Sequence, residues 1–198
     1  MILITLFINA LQKSGNRNAD NQTIQKICEQ KGIPFPLQNP EIIIFKSRRI
    51  LTLYNGNKLI KAYKVSLGEN PKEDKNIEGD KCTPEGTFYI CQMAKNPQKI
   101  YLGSRWMRIS YPSIEDAKRG LENGLIAKDE YEKIVEAIKC GKIPPQNTNL
   151  GGGIGIHGGN ELFEKNNNWT AGCIGLYNKD IEEIYDCVKV GVPIIIIS

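Results

Sequence analysis

Residues 48–68, RRILTLYNGNKLIKAYKVSLG, restrict the fold more than any other stretch of the chain. Two runs rich in β-branched and aromatic residues flank Asn55-Gly56, a pair that accepts positive φ in a tight connection. The stretch predicts two antiparallel strands joined at Asn55-Gly56. A sheet of some kind must then cover one face of that hairpin, because an isolated two-stranded ribbon is marginal in water.

The neighbouring segments supply it. EIIIFKS (41–47), CTPEGTFYICQMA (82–94), RWMRISYP (105–112), GIGIH (153–157), AGCIGLY (171–177) and VPIIII (192–197) all read as strands. Residues 113–140 change period: Tyr131, Ile134, Val135 and Ile138 recur at helical spacing, which predicts helices near 114–121 and 128–140, closed by Gly141. A further helix carries Ile181, Ile184, Tyr185 and Val188 on one face, with Asn178 as its N-cap. The strands dominate and read as mostly hairpin-linked, so the expected class is mainly β, a sandwich or barrel with inserted α-helices.

Before the sheet, residues 16–32 read as a short helix, with Ile24, Ile27, Cys28 and Lys31 on one face and Gly32 as its stop. IPFPLQNP (33–40) breaks regular structure, and a boundary is expected there, giving an N-terminal segment 1–40 and a main domain 41–198. The apolar run near the N-terminus is about 10 residues, short of the about 20 that span a bilayer. It fits either a clipped or atypical export signal or a small packed helix, and no stable membrane insertion is expected.

The chain has 198 residues and a net charge of +4. With no cluster of basic residues interleaved with aromatics, nucleic acid is not an expected partner. The six cysteines form no C-x-x-C pair and there is one histidine, so no metal site is expected. Cys82 and Cys91 flank a strand and are the one pair considered for a disulfide. Gly153-Ile154-Gly155-Ile156-His157-Gly158 matches G-x-G-x-x-G, but no helix opens from it, so it is not read as a nucleotide site.

The lone histidine and Cys173 are the candidate pair for chemistry, against the alternative of a surface or satisfied core histidine and an inert thiol. A free thiol is only slightly ionised at neutral pH, and a neighbouring imidazole lowers its pKa and takes its proton. Acyl transfer also needs N–H donors at the developing oxyanion. Thr170-Ala171-Gly172-Cys173 leaves the amides of Gly172 and Cys173 uncovered, and His157-Gly158-Gly159 can offer a main-chain carbonyl to orient the imidazole.

The ordered set RRILTLYNGNKLIKAYKVSLGENP, EGDKCTPEGTFYI, RISYPSIEDAKRG and IHGG…NWTAGCIGLYNKDIEEIYDCVKVGVPIII resembles the YkuD-type L,D-transpeptidases, in particular a YafK-like branch with Trp-Thr-x-Gly-Cys-Ile. It covers about residues 41–197. The resemblance implies a β-rich barrel-like sandwich and a cysteine acyltransferase that needs no metal or other cofactor. It makes Cys173 the nucleophile, His157 the general base and acid, and the carbonyl of Gly158 or Gly159 the orienter of the ring. Gly172, Ala171, Thr170 and Trp169 then line the oxyanion and substrate sites. The substrate implied is a peptidoglycan tetrapeptide stem that loses D-Ala and leaves a thioester. Hydrolysis of that thioester, as by a carboxypeptidase or amidase, and a non-catalytic wall-binding relative are the alternatives. The cell envelope is the implied location.

Two positions depart from the common family pattern. Ala171 stands where a second histidine is usual, and Gly175 where many members have an arginine. A contact to a substrate carboxylate is therefore lost or moved. Trp169 either walls the groove or packs in the core. For Arg108 a solvated side chain, and for Tyr111 a core position, is favoured over the cleft. Residues 160–168 are expected to form a polar rim, and the 113–140 insertion another wall.

Overall fold

The structure is a computed structural model that describes residues 22–163 and 168–198. Residues 1–21, which hold the apolar N-terminal run, and residues 164–167 of the expected rim lie outside the described residues. The chain divides into two compact units, Met1–Phe35 and Pro36–Ser198.

In the first unit the described residues form helix α1 (Ile24–Lys31). Thr23 caps its start by accepting the Lys26 N–H at 3.3 Å. Gly32 takes the left-handed conformation after its end, and the Ile33 N–H returns to the Cys28 carbonyl at 2.9 Å. Ile24, Ile27 and Cys28 are buried, while Lys31, at the C-terminal end of the same face, is exposed.

The second unit is mainly β. Its strands are β1 (Pro40–Phe45), β2 (Ile50–Asn55), β3 (Lys58–Lys64), β4 (Leu67–Gly68), β5 (Gly86–Lys95), β6 (Arg105–Ile109), β7 (Gly155–His157), β8 (Asn168–Thr170), β9 (Ile174–Gly175) and β10 (Pro193–Ile197). Helices α2 (Ile114–Glu122) and α3 (Lys128–Lys139) lie between β6 and β7, and α4 (Asn178–Tyr185) follows β9. Eight strands make one sheet in the order β3-β2-β1-β10-β5-β6-β7-β9, and β4 pairs with β8 separately.

Two neighbours in this sheet are parallel, β1 with β10 and β7 with β9. Local hairpin reasoning does not reach either pairing. The first joins near-uniform isoleucine strands in the register Ile42↔Ile194 and Ile44↔Ile196, and all four side chains are fully buried. Burying each contributes roughly 1.5–3 kcal/mol relative to leaving it in water. On β6 and β7 the core continues through Met107, Ile109 and Ile156.

The β2–β3 hairpin forms one residue later than expected. Asn55 ends β2 and is paired with Lys58, and only Gly56 has positive φ, at 59°. The Asn55 side chain instead accepts the Asn39 N–H at 2.8 Å, which holds it in the strand conformation.

The insertion forms its own small core of Ala117, Ile126, Ile134 and Leu150, with Leu121, Leu125, Tyr131 and Ile138 packed around it. Ser113 and Asp116 cap α2 reciprocally. At α4 the N-cap is Tyr177, not Asn178. Asn178 is the first helical residue, because its side chain is occupied in accepting the Ser104 N–H at 2.8 Å. Cys82 and Cys91 are both buried free thiols and do not pair. Each faces a backbone carbonyl at 3.5 Å, Cys82 that of Asp80 and Cys91 that of Arg108. No helix among the described residues is long and apolar enough to cross a membrane.

Candidate active site

Strand β7 ends at His157, and its parallel partner β9 begins just after Cys173, in the register Ile156↔Ile174 and His157↔Gly175. Both isoleucines are fully buried and fix that register. Alternate residues share a face of a sheet, so His157 and Cys173 emerge on the same side. They line one groove of about 560 Å³ together with Trp106, Arg108, Trp169, Thr170 and Ala171.

The turn that carries Cys173 is clamped at both ends. On one side Glu69 donates its N–H to the Thr170 carbonyl at 3.0 Å. On the other, Ser66 and Gly175 exchange backbone bonds at 2.8 and 2.9 Å. Inside the turn Thr170 Oγ1 donates to the Cys173 carbonyl at 2.7 Å and accepts the Gly172 N–H at 3.2 Å. Gly172 has φ 123°, and a Cβ there would stand 2.6 Å from the Cys82 carbonyl oxygen. Both the backbone region and the space admit only glycine. The Gly172 amide is therefore not the uncovered donor that the small neighbouring residues suggest, since Thr170 already engages it.

His157 is 1% exposed. Its Nδ1 lies 2.7 Å from the Gly158 carbonyl oxygen. A carbonyl only accepts, so this contact assigns the proton to Nδ1 and leaves the Nε2 lone pair free to take another. Gly158 is tied to the role by space: a Cβ on it would come within 2.2 Å of Asn178 Oδ1. Trp106 and Trp169 cover the ring, with centroids 5.9 and 5.5 Å from it, Trp169 edge-on.

Burial of His157 lowers its pKa to about 4, against the smaller upward pull of the Gly158 bond. The Cys173 residue is half-buried and lines the groove. Burial pushes the thiol up to about 11, opposed by the Gly155 N–H and by the Arg108 and Lys75 charges. The direction is the reverse of the lowered thiol pKa expected for an imidazole-paired cysteine. Desolvation of both groups outweighs the hydrogen bonds and charges nearby. The resting pair is thus a neutral thiol and a neutral imidazole. The thiol points to the Gly153 carbonyl at 3.5 Å.

Trp169 is a wall of the groove. Its Nε1–H donates to Asn160 Oδ1 at 2.9 Å, and its ring stacks on Phe163 at 4.1 Å. Tyr111 is fully buried and donates its hydroxyl to the Leu150 carbonyl at 2.8 Å. Arg108, expected to be solvated, is instead half-buried in the groove wall. Its Nε donates to Gln92 Oε1 at 2.9 Å and its Nη1 to Gln146 Oε1 at 2.6 Å. Gln146 sits in an irregular loop with no pattern in the sequence to mark it. Among the described residues no three His, Cys, Asp or Glu side chains cluster as metal ligands.

The profile of one family, the YkuD L,D-transpeptidase catalytic domain, matches residues 39–196. No curated protein sequence matches the chain. Among solved structures, Bd1075 of Bdellovibrio bacteriovorus aligns with TM-score 0.54 and 20% identity over 83% of this chain and 49% of its own. The helical cell shape determining protein Pgp2 of Campylobacter jejuni aligns with TM-score 0.54 and 21% identity over 87% of this chain and 54% of its own. The chain therefore spans about half the length of these structures, and what it shares with them is the fold.

Proposed function

The chain belongs to the YkuD family of L,D-transpeptidase catalytic domains, and from that premise we propose that it is itself a cysteine acyltransferase acting on peptidoglycan tetrapeptide stems. The observation that carries the reading is the shared groove of Cys173 and His157, with Nδ1 of the histidine held by the Gly158 carbonyl.

In this reading the thiol gives its proton to His157 Nε2 as sulfur attacks the carbonyl of the third, diamino-acid residue. Starting from two neutral groups, the proton moves during the attack rather than before it. The tetrahedral oxyanion is met by the Cys173 N–H, and by the Gly172 N–H once it is shared with or released from Thr170 Oγ1. Collapse breaks the bond to D-Ala, and the imidazolium returns its proton to the leaving amine. A thioester remains on Cys173. The amine of a second stem resolves it in transpeptidation, and water resolves it in hydrolysis. His157, then free of its proton, serves as base for either. Such a substrate lies outside the cytoplasmic membrane, so the proposal includes a location in the cell envelope. A role in cell shape accords with the description of the Campylobacter jejuni structural neighbour as a helical cell shape determining protein.

The test is incubation of the protein with purified tetrapeptide muropeptides, followed by mass analysis of protein and product. The expected result is D-Ala release with an acyl adduct on Cys173, both abolished by Cys173→Ala. D-Ala loss that survives this substitution without an adduct rules the mechanism out. A dimeric product identifies transfer to an amine, and a free tripeptide identifies hydrolysis.

A further inference from the structure

We propose that Arg108 reads a carboxylate of the acyl donor, and that this carboxylate is the free C-terminus of the leaving residue. The proposal rests on the reading of Cys173 as the acylated nucleophile.

The ladder sets Arg108 of β6 opposite Gly155 of β7, and Trp106 opposite His157. Directly opposed residues share a face, so the arginine issues onto the same side as the histidine. Two residues before Gly155, the Gly153 carbonyl faces the Cys173 sulfur at 3.5 Å. The cation thus stands one strand away from the backbone that touches the nucleophile. One residue's span, about 3.8 Å between α-carbons, separates a scissile carbonyl from the carboxyl group of a terminal residue.

The guanidinium is fixed but not neutralised. Gln92 and Gln146 take two of its N–H groups, and its carbon lies 5.5 Å from the centre of the Trp106 ring. An arginine has five such donors in a planar fork, so three remain. Gln146 cannot turn away: its Nε2 donates to the Tyr111 and Pro144 carbonyls, both at 2.9 Å. Its Oε1 also accepts the Gly153 N–H at 2.8 Å, and the Gly153 carbonyl faces the thiol. One polar chain therefore sets the arginine and the sulfur in a common frame. Lys99 and Arg108 line the groove, and no aspartate or glutamate is among its described lining residues. A half-buried cation held by neutral amides is poised for a carboxylate brought by a ligand.

The competing role for Arg108 is a brace for Gln146 and its loop. A brace affects every ligand alike, whereas a reader discriminates by charge. The test uses the Cys173→Ala protein, which can bind without turnover, and calorimetry with three stems. These are the tetrapeptide with a free C-terminus, its C-terminal amide, and the stem amidated only at the side-chain carboxylate of its third residue. C-terminal amidation is expected to weaken binding about 10- to 100-fold, the scale of a charge-assisted bond. Arg108→Gln added to the same protein is expected to erase that difference, and Arg108→Lys to restore part of it, since lysine keeps the charge but lacks the fork. Amidation at the third residue is expected to change affinity little. Equal weakening of all three stems by Arg108→Gln, with discrimination kept, overturns the proposal in favour of the brace. Discrimination that follows the third residue overturns the choice of carboxylate, and absence of binding by any stem overturns the whole. Carboxylate discrimination here, with no D-Ala release by the unaltered protein, separates failure of the catalytic reading from failure of this one.

Discussion

Acidification from pH 7.5 to 4 is expected to destabilise the fold through His157 alone by about 3 kcal/mol. The folded imidazole has its pKa lowered from 6.5 to about 4, chiefly by burial. An unfolded chain protonates the ring near 6.5. Between these values the unfolded state binds more protons, so stability rises with pH in that window. The contribution is complete above about pH 6.5, is lost as pH falls, and is gone below about 4. A gap of about 2.5 pKa units at 1.36 kcal/mol each gives the stated size. Urea unfolding across this range, on the unaltered protein and on His157→Gln, isolates the effect by difference. Because this is the chain's only histidine, its ring proton resonances also report the folded titration directly. A ring that titrates near 6.5, or two proteins whose stabilities fall in parallel, refutes the claim that burial keeps the imidazole neutral.

Alkylation of Cys173 by iodoacetamide, followed by peptide mapping, is expected to climb about tenfold per pH unit from 8 to 10, as a thiol pKa of about 11 requires. A plateau already reached by pH 8 contradicts the neutral resting thiol. Gly172→Ala is expected to cost about 1–3 kcal/mol in thermal unfolding and to abolish thioester formation, because the left-handed backbone and the Cys82 carbonyl both reject a Cβ. Full activity in a stable Gly172→Ala protein contradicts the turn geometry. Asp80→Asn leaves Lys75, 2% exposed, without its 2.8 Å partner, and is expected to lower urea stability by about 3 kcal/mol. A change below 1 kcal/mol shows that the Ile77 carbonyl alone satisfies the lysine.

Much of this arrangement was legible from local signals. The β2–β3 hairpin and the helical period after residue 113 follow from spacing and residue type, whereas Cys173 and His157 stand out as the residues to watch only when the family resemblance is added to residue type. What escaped is non-local. The β1–β10 pairing joins opposite ends of the second unit, and isoleucine runs look alike whether their neighbours are parallel or antiparallel. Asn178 resembles an N-cap, but its side chain is claimed by Ser104, 74 residues earlier in the chain. Arg108 resembles a surface cation until β6 pairs with β7 and Gln146 folds over from an irregular loop. The direction of the thiol pKa depends on how densely protein surrounds the sulfur, which residue spacing does not encode.

The proposed mechanism requires that Cys173 become acylated with His157 as its proton acceptor. Intact-mass measurement after brief exposure to a carbapenem-type acyl donor, with mapping of the modified peptide, tests this most directly. A single adduct on Cys173, formed at neutral pH and lost in His157→Ala, is the expected result. An unmodified Cys173, or labelling that is indifferent to His157→Ala, contradicts it.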